Sequence, residues 1–186
     1  MPRPREDNRM KLSLVEVFQS INESFEQIIP TDFRIIDFDN FVVCRFESDS
    51  KHSYDVEFYY REESSLTVLN DGKMLGDYMG YKKPYIDTFD IGFTLSDIKN
   101  KDNPDEYEKE THLNEVQEVM GRITYICKRM LSKYKKVKLF VIGPAKRNKL
   151  DIYENMYYNN FANDFDLFYG KSLWHDEGNS MFLVRK

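Results

Sequence analysis

The stretch VKLFVIGPAKRNKLDIYENMYYNNF, residues 137–161, decides the fold that this sequence predicts. Val137 to Ile142 is nearly all apolar, which is typical of a central strand that is covered on both faces. Gly143 and Pro144 then predict a turn, because these two residue types commonly interrupt regular structure. The helix that follows directs its apolar side chains inward: Leu150, Tyr153 and Met156 or Tyr157.

The segments around this stretch predict a sheet of mostly antiparallel strands that is flanked by helices. Alternating apolar and polar residues mark most of the strands. The predicted strands are Phe33–Asp37, Phe41–Glu47, Ser53–Tyr60, Leu66–Leu69, Phe89–Leu95, Phe165–Tyr169 and Met181–Arg185. A long helix from about Leu113 to Lys133 carries one apolar stripe. The predicted fold class is therefore α/β (α+β), with a mixed, mostly antiparallel sheet in a single domain.

The N-terminal segment is predicted to contain an arm and a helix. Residues 1–11 are charged and include two prolines, so we expect a flexible arm that gains order only from a partner. Ser13 and Glu16 form a capping box, which apolar residues follow at helical spacing as far as Ile28. The domain is accordingly predicted to cover residues 12–186.

Composition and charge narrow the classes of protein that the chain can represent. Its 41% hydrophobic and 32% charged residues are ordinary for a soluble globular protein. The net charge of -5 provides no global attraction for nucleic acid or an anionic membrane. No apolar run approaches the ~20 residues of a membrane span, and the N-terminus lacks the apolar core of a signal peptide. These features predict an intracellular protein, or one in a particle assembled inside a cell, with no membrane partner.

The cysteines and histidines give no pattern of a reactive or metal-binding site. Cys44 falls in a predicted strand and Cys127 in a predicted helix, so we expect buried, reduced thiols rather than a bridge or a nucleophile. His52, His112 and His175 lie in unrelated segments without the spacing of metal ligands. No metal is therefore expected.

The order of the predicted elements resembles that of the GNAT fold, the Gcn5-related N-acetyltransferases. The resemblance covers about residues 85–186, where IYENMYY, residues 152–158, stands in place of a family helix similar to LYEKLGF. It implies that Tyr153 matches the family's helix tyrosine, which often acts as general acid toward the leaving thiolate. On this resemblance, the chain would be an acyl-CoA-dependent N-acyltransferase with Tyr153 as its catalytic residue.

The segment that would hold the cofactor departs from the family pattern. GNAT enzymes bind the cofactor's pyrophosphate on backbone N–H groups at a helix start, in a turn resembling Q/R-x-x-G-x-G/A. Here Ser96 to Glu118 contains no glycine, and its eight carboxylates outnumber its three lysines to give a net charge of -5. Such a segment would repel a pyrophosphate. We therefore expect a scaffold with no cofactor and no catalytic residue.

The end of the chain has a second resemblance. RNKLDIYENM, residues 147–156, and SMFLVRK, residues 180–186, are similar to the endings of small bacteriophage proteins with degenerate folds of this kind. The resemblance implies a phage-encoded, non-enzymatic protein that acts through protein contacts in the virion or the host cytoplasm. Its protein partners would belong to a larger assembly such as the virion, or would be host factors.

The segment from Asp71 to Tyr85 is a candidate for such contacts. Methionines and tyrosines occur there beside glycines, without helical or strand periodicity. Because Met and Tyr are adaptable contact groups, the segment is either a docking surface or an ordinary loop that folds over the core. The candidate interface residues are Met74, Tyr78, Met79, Tyr81 and Tyr85.

A group of basic residues is the other surface candidate. Its members surround the predicted central strand: Lys133, Lys135, Lys136, Lys146, Arg147 and Lys149. The cations that follow the long helix favour its negative C-terminal end. Alternatively, the group contacts phosphates, which makes a nucleic-acid-binding accessory protein the third functional hypothesis. Its two halves would lie at opposite ends of the strand, so we do not expect one continuous groove.

Overall fold

The computed structural model describes residues 28–95, 113–143, 147–175 and 178–186. Its strands are β1 (Arg34–Asp37), β2 (Phe41–Glu47), β3 (Ser53–Ser64), β4 (Tyr85–Leu95), β5 (Leu139–Ile142), β6 (Phe165–Gly170) and β7 (Ser180–Arg185). Its helices are α1 (Leu75–Met79), α2 (Leu113–Lys133) and α3 (Arg147–Asn160). The predicted class, α/β (α+β) with a mostly antiparallel sheet, is confirmed. The predicted arm, the capping-box helix and residues 96–112 of the acidic segment lie outside the described residues.

The seven strands form one sheet in the order β1-β2-β3-β4-β5-β7-β6. β4 and β5 are parallel, while the other described pairs are antiparallel. A parallel pair requires a crossover connection, and α2 lies in that connection. β5 lies between β4 and β7, so the predicted central strand is confirmed, although it begins at Leu139. Val137 instead donates its N–H to the carbonyl of Tyr134 in the turn after α2.

The long helices α2 and α3 cover one side of the sheet, which we call the helix face. The apolar stripe of α2 packs there, with Ile123, Ile126 and Met130 almost fully buried. Every second strand residue meets this stripe, because side chains along a strand point alternately to opposite faces. The strand residues of this cluster include Val56, Phe58, Phe89, Ile91, Phe140, Ile142, Met181 and Leu183. Among the described ranges, no helix is long and apolar enough to cross a membrane.

The opposite side of the sheet, which we call the loop face, is covered by the β3–β4 connection and by the start of the β6–β7 connection. Its apolar cluster is smaller and consists of Leu69, Leu75, Ile86, Leu139, Val141, Phe182 and Val184. β5 contributes alternate side chains to both clusters. This double burial accounts for the nearly continuous apolar run in its sequence.

The segment from Asp71 to Tyr85, which has no periodicity in the sequence, contains regular structure. Residues Leu75–Met79 form α1, and Tyr85 is the first residue of β4. The strand predicted at Leu66–Leu69 is reduced to isolated bridges at its last two residues. Leu75 is fully buried in the loop-face cluster, so a tertiary contact holds this short helix in place.

Both cysteines are buried and free, which confirms the prediction of reduced thiols. Cys44 on β2 and Cys127 on α2 belong to the helix-face cluster. Burial raises the pKa of each thiol to about 12. Because the thiolate is the reactive form of cysteine, neither side chain is a nucleophile at neutral pH.

Candidate functional site

Tyr153, the catalytic residue that the GNAT resemblance implies, lies on α3 with its side chain in the helix-face cluster. Its ring contacts that of Phe93 edge-on, with 5.1 Å between centroids, and only 8% of the residue is exposed. The inward packing that the helix pattern predicts is therefore present. Burial raises the pKa of the Tyr153 hydroxyl far above its usual value, so this group stays protonated near neutral pH.

Near Tyr153, β4 extends beyond the end of its parallel partner β5, and we call this edge of the sheet the opening. The parallel pairing of β4 with β5 ends at Ile91 and Ile142, whereas β4 continues to Leu95. Phe93, which the Tyr153 ring contacts, lies in this continuation. Ligands of open α/β sheets bind in the crevice beyond the carboxyl ends of parallel strands. This opening is therefore the place in the described fold where a small ligand would be expected.

Asp90 of β4 forms an ion-pair cluster on the loop face near the opening. Its carboxylate lies 3.3 Å from Nε of Arg61 and 3.2 Å from Nε2 of His175. Asp90 is buried, and these two partners offset the loss of water around its charge. The imidazole of His175 rests against Gly143, where an added Cβ would stand 2.6 Å from Cε1 of the ring. A residue with a side chain at this position would displace the imidazole.

The partners of Asp90 are themselves held by neighbouring groups. The Arg61 guanidinium lies 4.8 Å from the ring centroid of Trp174 and 5.1 Å from that of Tyr59. The Tyr59 hydroxyl donates a 2.8 Å hydrogen bond to Glu57. Burial and this bond raise the pKa of Tyr59 to about 12. The groups of the cluster thus hold one another in place.

Glu63, near the end of β3, is fully buried. Its side-chain oxygens accept hydrogen bonds from the hydroxyls of Thr67 at 2.8 Å and Ser172 at 2.6 Å. They also accept from the backbone N–H groups of Ser64 at 3.1 Å and Leu173 at 3.3 Å. A buried carboxylate is tolerated only with such compensation. Glu63 thereby joins the β3–β4 connection to residues 172–175, a segment that we call the strap.

The two segments that Glu63 joins expose large apolar side chains. Leu66 is 65% exposed and Leu173 is 57% exposed. The exposed apolar residues of these segments include Leu66, Val68, Met74, Leu173 and Trp174. The indole N–H of Trp174 donates a 2.9 Å hydrogen bond to the carbonyl of Glu62, which fixes the strap to β3 a second time.

The interface residues predicted from the sequence divide into two groups. Three are exposed: Met74, Tyr78 and Tyr85. Two pack against the loop-face cluster: Met79 and Tyr81. The ring of Tyr78 lies 4.3 Å from that of Phe168, and its hydroxyl donates to Asp71. Much of the predicted interface is thus fixed against the protein itself.

The predicted basic residues fall at two ends of β5. Lys133, Lys135 and Lys136 are exposed where α2 ends. Arg147 and Lys149 lie in the first turn of α3, and Lys146 is outside the described residues. A strand of this length separates the two groups by roughly 13 Å. The group beside α2 stands where cations stabilise a helix C-terminus.

Sequence reasoning missed the two polar clusters of the loop face. Arg61 and Glu63 continue the alternation of β3 beyond Tyr60, and this continuation is the signal that could have extended the predicted strand. The burial of Glu63 had no local signal, because Ser172 bonds to it from a position 109 residues away.

In the part of the chain that the structure describes, no group of three or more histidine, cysteine, aspartate or glutamate side chains could hold a metal ion. No protein-family model, curated protein or solved structure matches this chain.

Proposed function

We propose that this chain functions by binding another protein and that it has no catalytic activity. We call the proposed contact region the docking surface, which consists of Leu66, Val68, Met74, Leu173 and Trp174. Exposed apolar groups of this kind mark protein-interaction sites more often than catalytic ones. The sequence resembles small bacteriophage proteins. The first partners to test are therefore other virion components and host factors.

The observation that carries the proposal is the anchoring of both exposed segments by one buried carboxylate. Glu63 accepts hydrogen bonds from Thr67 in one segment and from Ser172 and Leu173 in the other. Neither segment can turn its apolar side chains inward without breaking these bonds. A surface that is already ordered loses less entropy on binding, which favours its use as an interface.

The polar groups near the sheet opening support a non-enzymatic role. Asp90 is paired with Arg61 and His175, and Tyr153 is enclosed in the core. A general acid or base must reach a substrate proton within hydrogen-bond distance. Groups that are paired with each other or enclosed in the core do not meet that requirement. These contacts serve to hold the strap and α3 against the sheet.

We propose that the scaffold is GNAT-like, and acyl transfer is the second candidate function. The single parallel pair with a helix in its crossover, and the opening beside Tyr153, support this likeness. The glycine-free, acidic sequence from Ser96 to Glu118 argues against binding of a pyrophosphate. Calorimetry with acetyl-CoA distinguishes the two functions: we expect no binding, whereas micromolar affinity would favour acyl transfer.

The docking surface is tested by crosslinking from defined positions. A photoreactive amino acid is placed at Leu66, at Leu173 or, as a control, at the exposed Tyr158 of α3. Irradiation in the native host, followed by mass spectrometry, is expected to yield the same protein from both surface positions and not from Tyr158. Adducts that are identical at all three positions, or that contain only a second copy of this chain, would contradict the proposal.

A matched pair of variants separates binding from folding. Leu66→Ser combined with Leu173→Ser removes exposed side chains only, so the melting temperature is expected to stay within about 2 °C of the parent. Binding of the crosslinked partner is expected to weaken by at least about tenfold, since central apolar contacts often contribute more than ~1 kcal/mol each. Tyr158→Ser is the control and should change neither property.

A further inference from the structure

Three small residues lie side by side on the loop face. Ser180 of β7 pairs with Gly170 of β6, and the register of β7 with β5 brings Gly143 opposite Ser180 on the other side. Ser180 points to the loop face because the next residue, Met181, belongs to the helix-face cluster, and Phe182 belongs to the loop-face cluster. A hydroxyl therefore stands between two positions that have no side chain.

This hydroxyl is buried and has no hydrogen-bond partner among the described residues. Ser180 is fully buried, and its Oγ is the side-chain oxygen left without a partner there. An unsatisfied buried hydroxyl is costly, and most buried polar groups in native proteins bond to protein or to ordered water. An ordered water would satisfy the Ser180 hydroxyl.

Two polar groups lie above the neighbouring glycines. The imidazole of His175 covers Gly143, whose added Cβ would stand 3.1 Å from Nδ1 of the ring. The backbone carbonyl oxygen of Val68 covers Gly170 and would stand 2.9 Å from the Cβ of a side chain there. The Ser180 hydroxyl therefore has a ring nitrogen on one side and a carbonyl oxygen on the other.

We infer that one ordered water molecule is bound in this row, between the Ser180 hydroxyl and the ring of His175. Cβ positions of directly opposed strand residues are about 5 Å apart, which places the hydroxyl and the ring within reach of one bridging water. The Asp90 carboxylate only accepts hydrogen bonds, so Nε2 of His175 carries a proton toward it, and in the tautomer with this single ring proton Nδ1 is an acceptor.

The bonding of this water follows from the groups around it. The water accepts from the Ser180 hydroxyl and donates to Nδ1 of His175, and its second hydrogen faces the carbonyl of Val68. Three partners are the usual number for a buried water. The water connects the strap and the β3–β4 connection to β7. This site is independent of the docking surface, because it involves none of the exposed side chains.

Substitution of Ser180 tests the inference. Ser180→Ala removes the hydroxyl without adding volume, and the melting temperature is expected to fall by about 2–4 °C, the shift that corresponds to one hydrogen bond in a chain of this size. Ser132→Ala, at an exposed position of α2, is the control and should leave the melting temperature unchanged. An unchanged or raised melting temperature for Ser180→Ala would overturn the inference, because loss of an unpartnered hydroxyl removes a cost.

A second measurement uses the unaltered chain. A high-resolution crystal structure is expected to show a single water within about 3.2 Å of both Ser180 Oγ and His175 Nδ1. The same density is expected to be absent from Ser180→Ala. The inference of a bound water would be refuted if no water density lay between Ser180 and His175, or if Ser180 bonded directly to another group. Density larger than one water would refute it as well.

Discussion

Helices cover one face of the sheet and irregular connections cover the other, and the chemistry beneath them differs. The helix face buries a large apolar cluster in which Phe58, Phe140 and Ile126 are fully enclosed. The loop face buries a smaller apolar cluster beside charged groups, of which Glu63 and Asp90 are the clearest. Two neighbouring residues of β5, Phe140 and Val141, therefore enter quite different surroundings.

The difference follows from backbone hydrogen bonding. A helix satisfies most of its own N–H and C=O groups, so only its side chains must match the sheet. An irregular connection lacks this internal pairing, and its N–H groups need acceptors when they are buried. Glu63 supplies acceptors for the N–H groups of Ser64 and Leu173. Polar burial on the loop face is thus a consequence of covering a sheet with irregular chain.

The largest loss of stability is expected from a substitution in β5, because both faces of the sheet depend on this strand. Val141→Asp places an unpaired charge in the loop-face cluster, where Val141 is almost fully buried. Because such a charge costs several kcal/mol, the variant is expected not to fold into soluble protein. Lys138→Asp, at an exposed position just before β5, is the control. A soluble Val141→Asp variant with the circular dichroism of the parent would show that β5 is not central.

The next largest loss of stability is expected from substitution of Glu63, the buried hydrogen-bond acceptor of the loop face. Glu63→Ala leaves two hydroxyls and two N–H groups without their acceptor and should cost about 3 kcal/mol or more in the free energy of unfolding. Glu63→Gln keeps the size and one acceptor oxygen, so about 1–2 kcal/mol is expected. Urea titration measures the loss of stability in both variants. Glu62→Ala, on the exposed neighbour, should change stability by less than about 0.5 kcal/mol; equal effects at positions 62 and 63 would contradict the role of Glu63.

The helix face is expected to respond to alkaline pH through its thiols. Folding raises the pKa of Cys44 and Cys127 to about 12. A group whose pKa is higher in the folded state stabilises the protein fully below its unfolded pKa, and this contribution is lost as the pH rises toward the folded pKa. Each thiol should therefore cost about 1–2 kcal/mol of stability between pH 8 and pH 10.

Urea titrations at these two pH values check the expectation. The double variant Cys44→Ala, Cys127→Ala should lose about 3 kcal/mol less than the parent over the same interval. An equal loss in both proteins would mean that the thiols do not contribute. Alkylation with iodoacetamide at pH 7 provides a further readout, since the folded parent should react far more slowly than the unfolded chain.

The smallest loss of stability is expected from removal of a single neutral hydrogen bond on the helix face. The Tyr157 hydroxyl donates a 2.8 Å hydrogen bond to the carbonyl of Phe165 and ties α3 to β6. Tyr157→Phe should cost about 1 kcal/mol, the usual contribution of such a bond. Tyr158→Phe, at the exposed adjacent position, should be neutral in the same denaturation experiment. If Tyr157→Phe and Tyr158→Phe had the same stability, the hydrogen bond of Tyr157 would contribute nothing to stability.

The sequence predicted those elements whose residues carry a strong local pattern. The helix from Leu113 to Lys133 and the strand from Phe41 to Glu47 agree with the structure at both ends. The strand from Ser53 was predicted too short, because Arg61 to Ser64 is polar and includes the buried Glu63. For α1, five residues without periodicity gave no local signal, and the helix depends on the burial of Leu75.

The candidate site was less predictable for the same reason. Tyr153 could be placed on the inner side of its helix, since helical spacing indicates which residues face the core. His175 could not be paired with Asp90, because these residues are 85 positions apart and neither lies in a recognisable motif. The exposed Leu173 likewise lies beside Glu63 only through the path of the chain, because its N–H bonds to that carboxylate from 110 positions away.

By itself, the sequence determined the class of the fold, the order of its main elements and the apolar surface beneath the two long helices. Periodicity encodes these features locally, because it states which side of each element avoids water. Only the tertiary structure decided which polar residues would be buried on the loop face and which apolar ones would stay exposed. Whether a side chain is buried there depends on the segment that covers it, and that segment comes from a distant part of the chain.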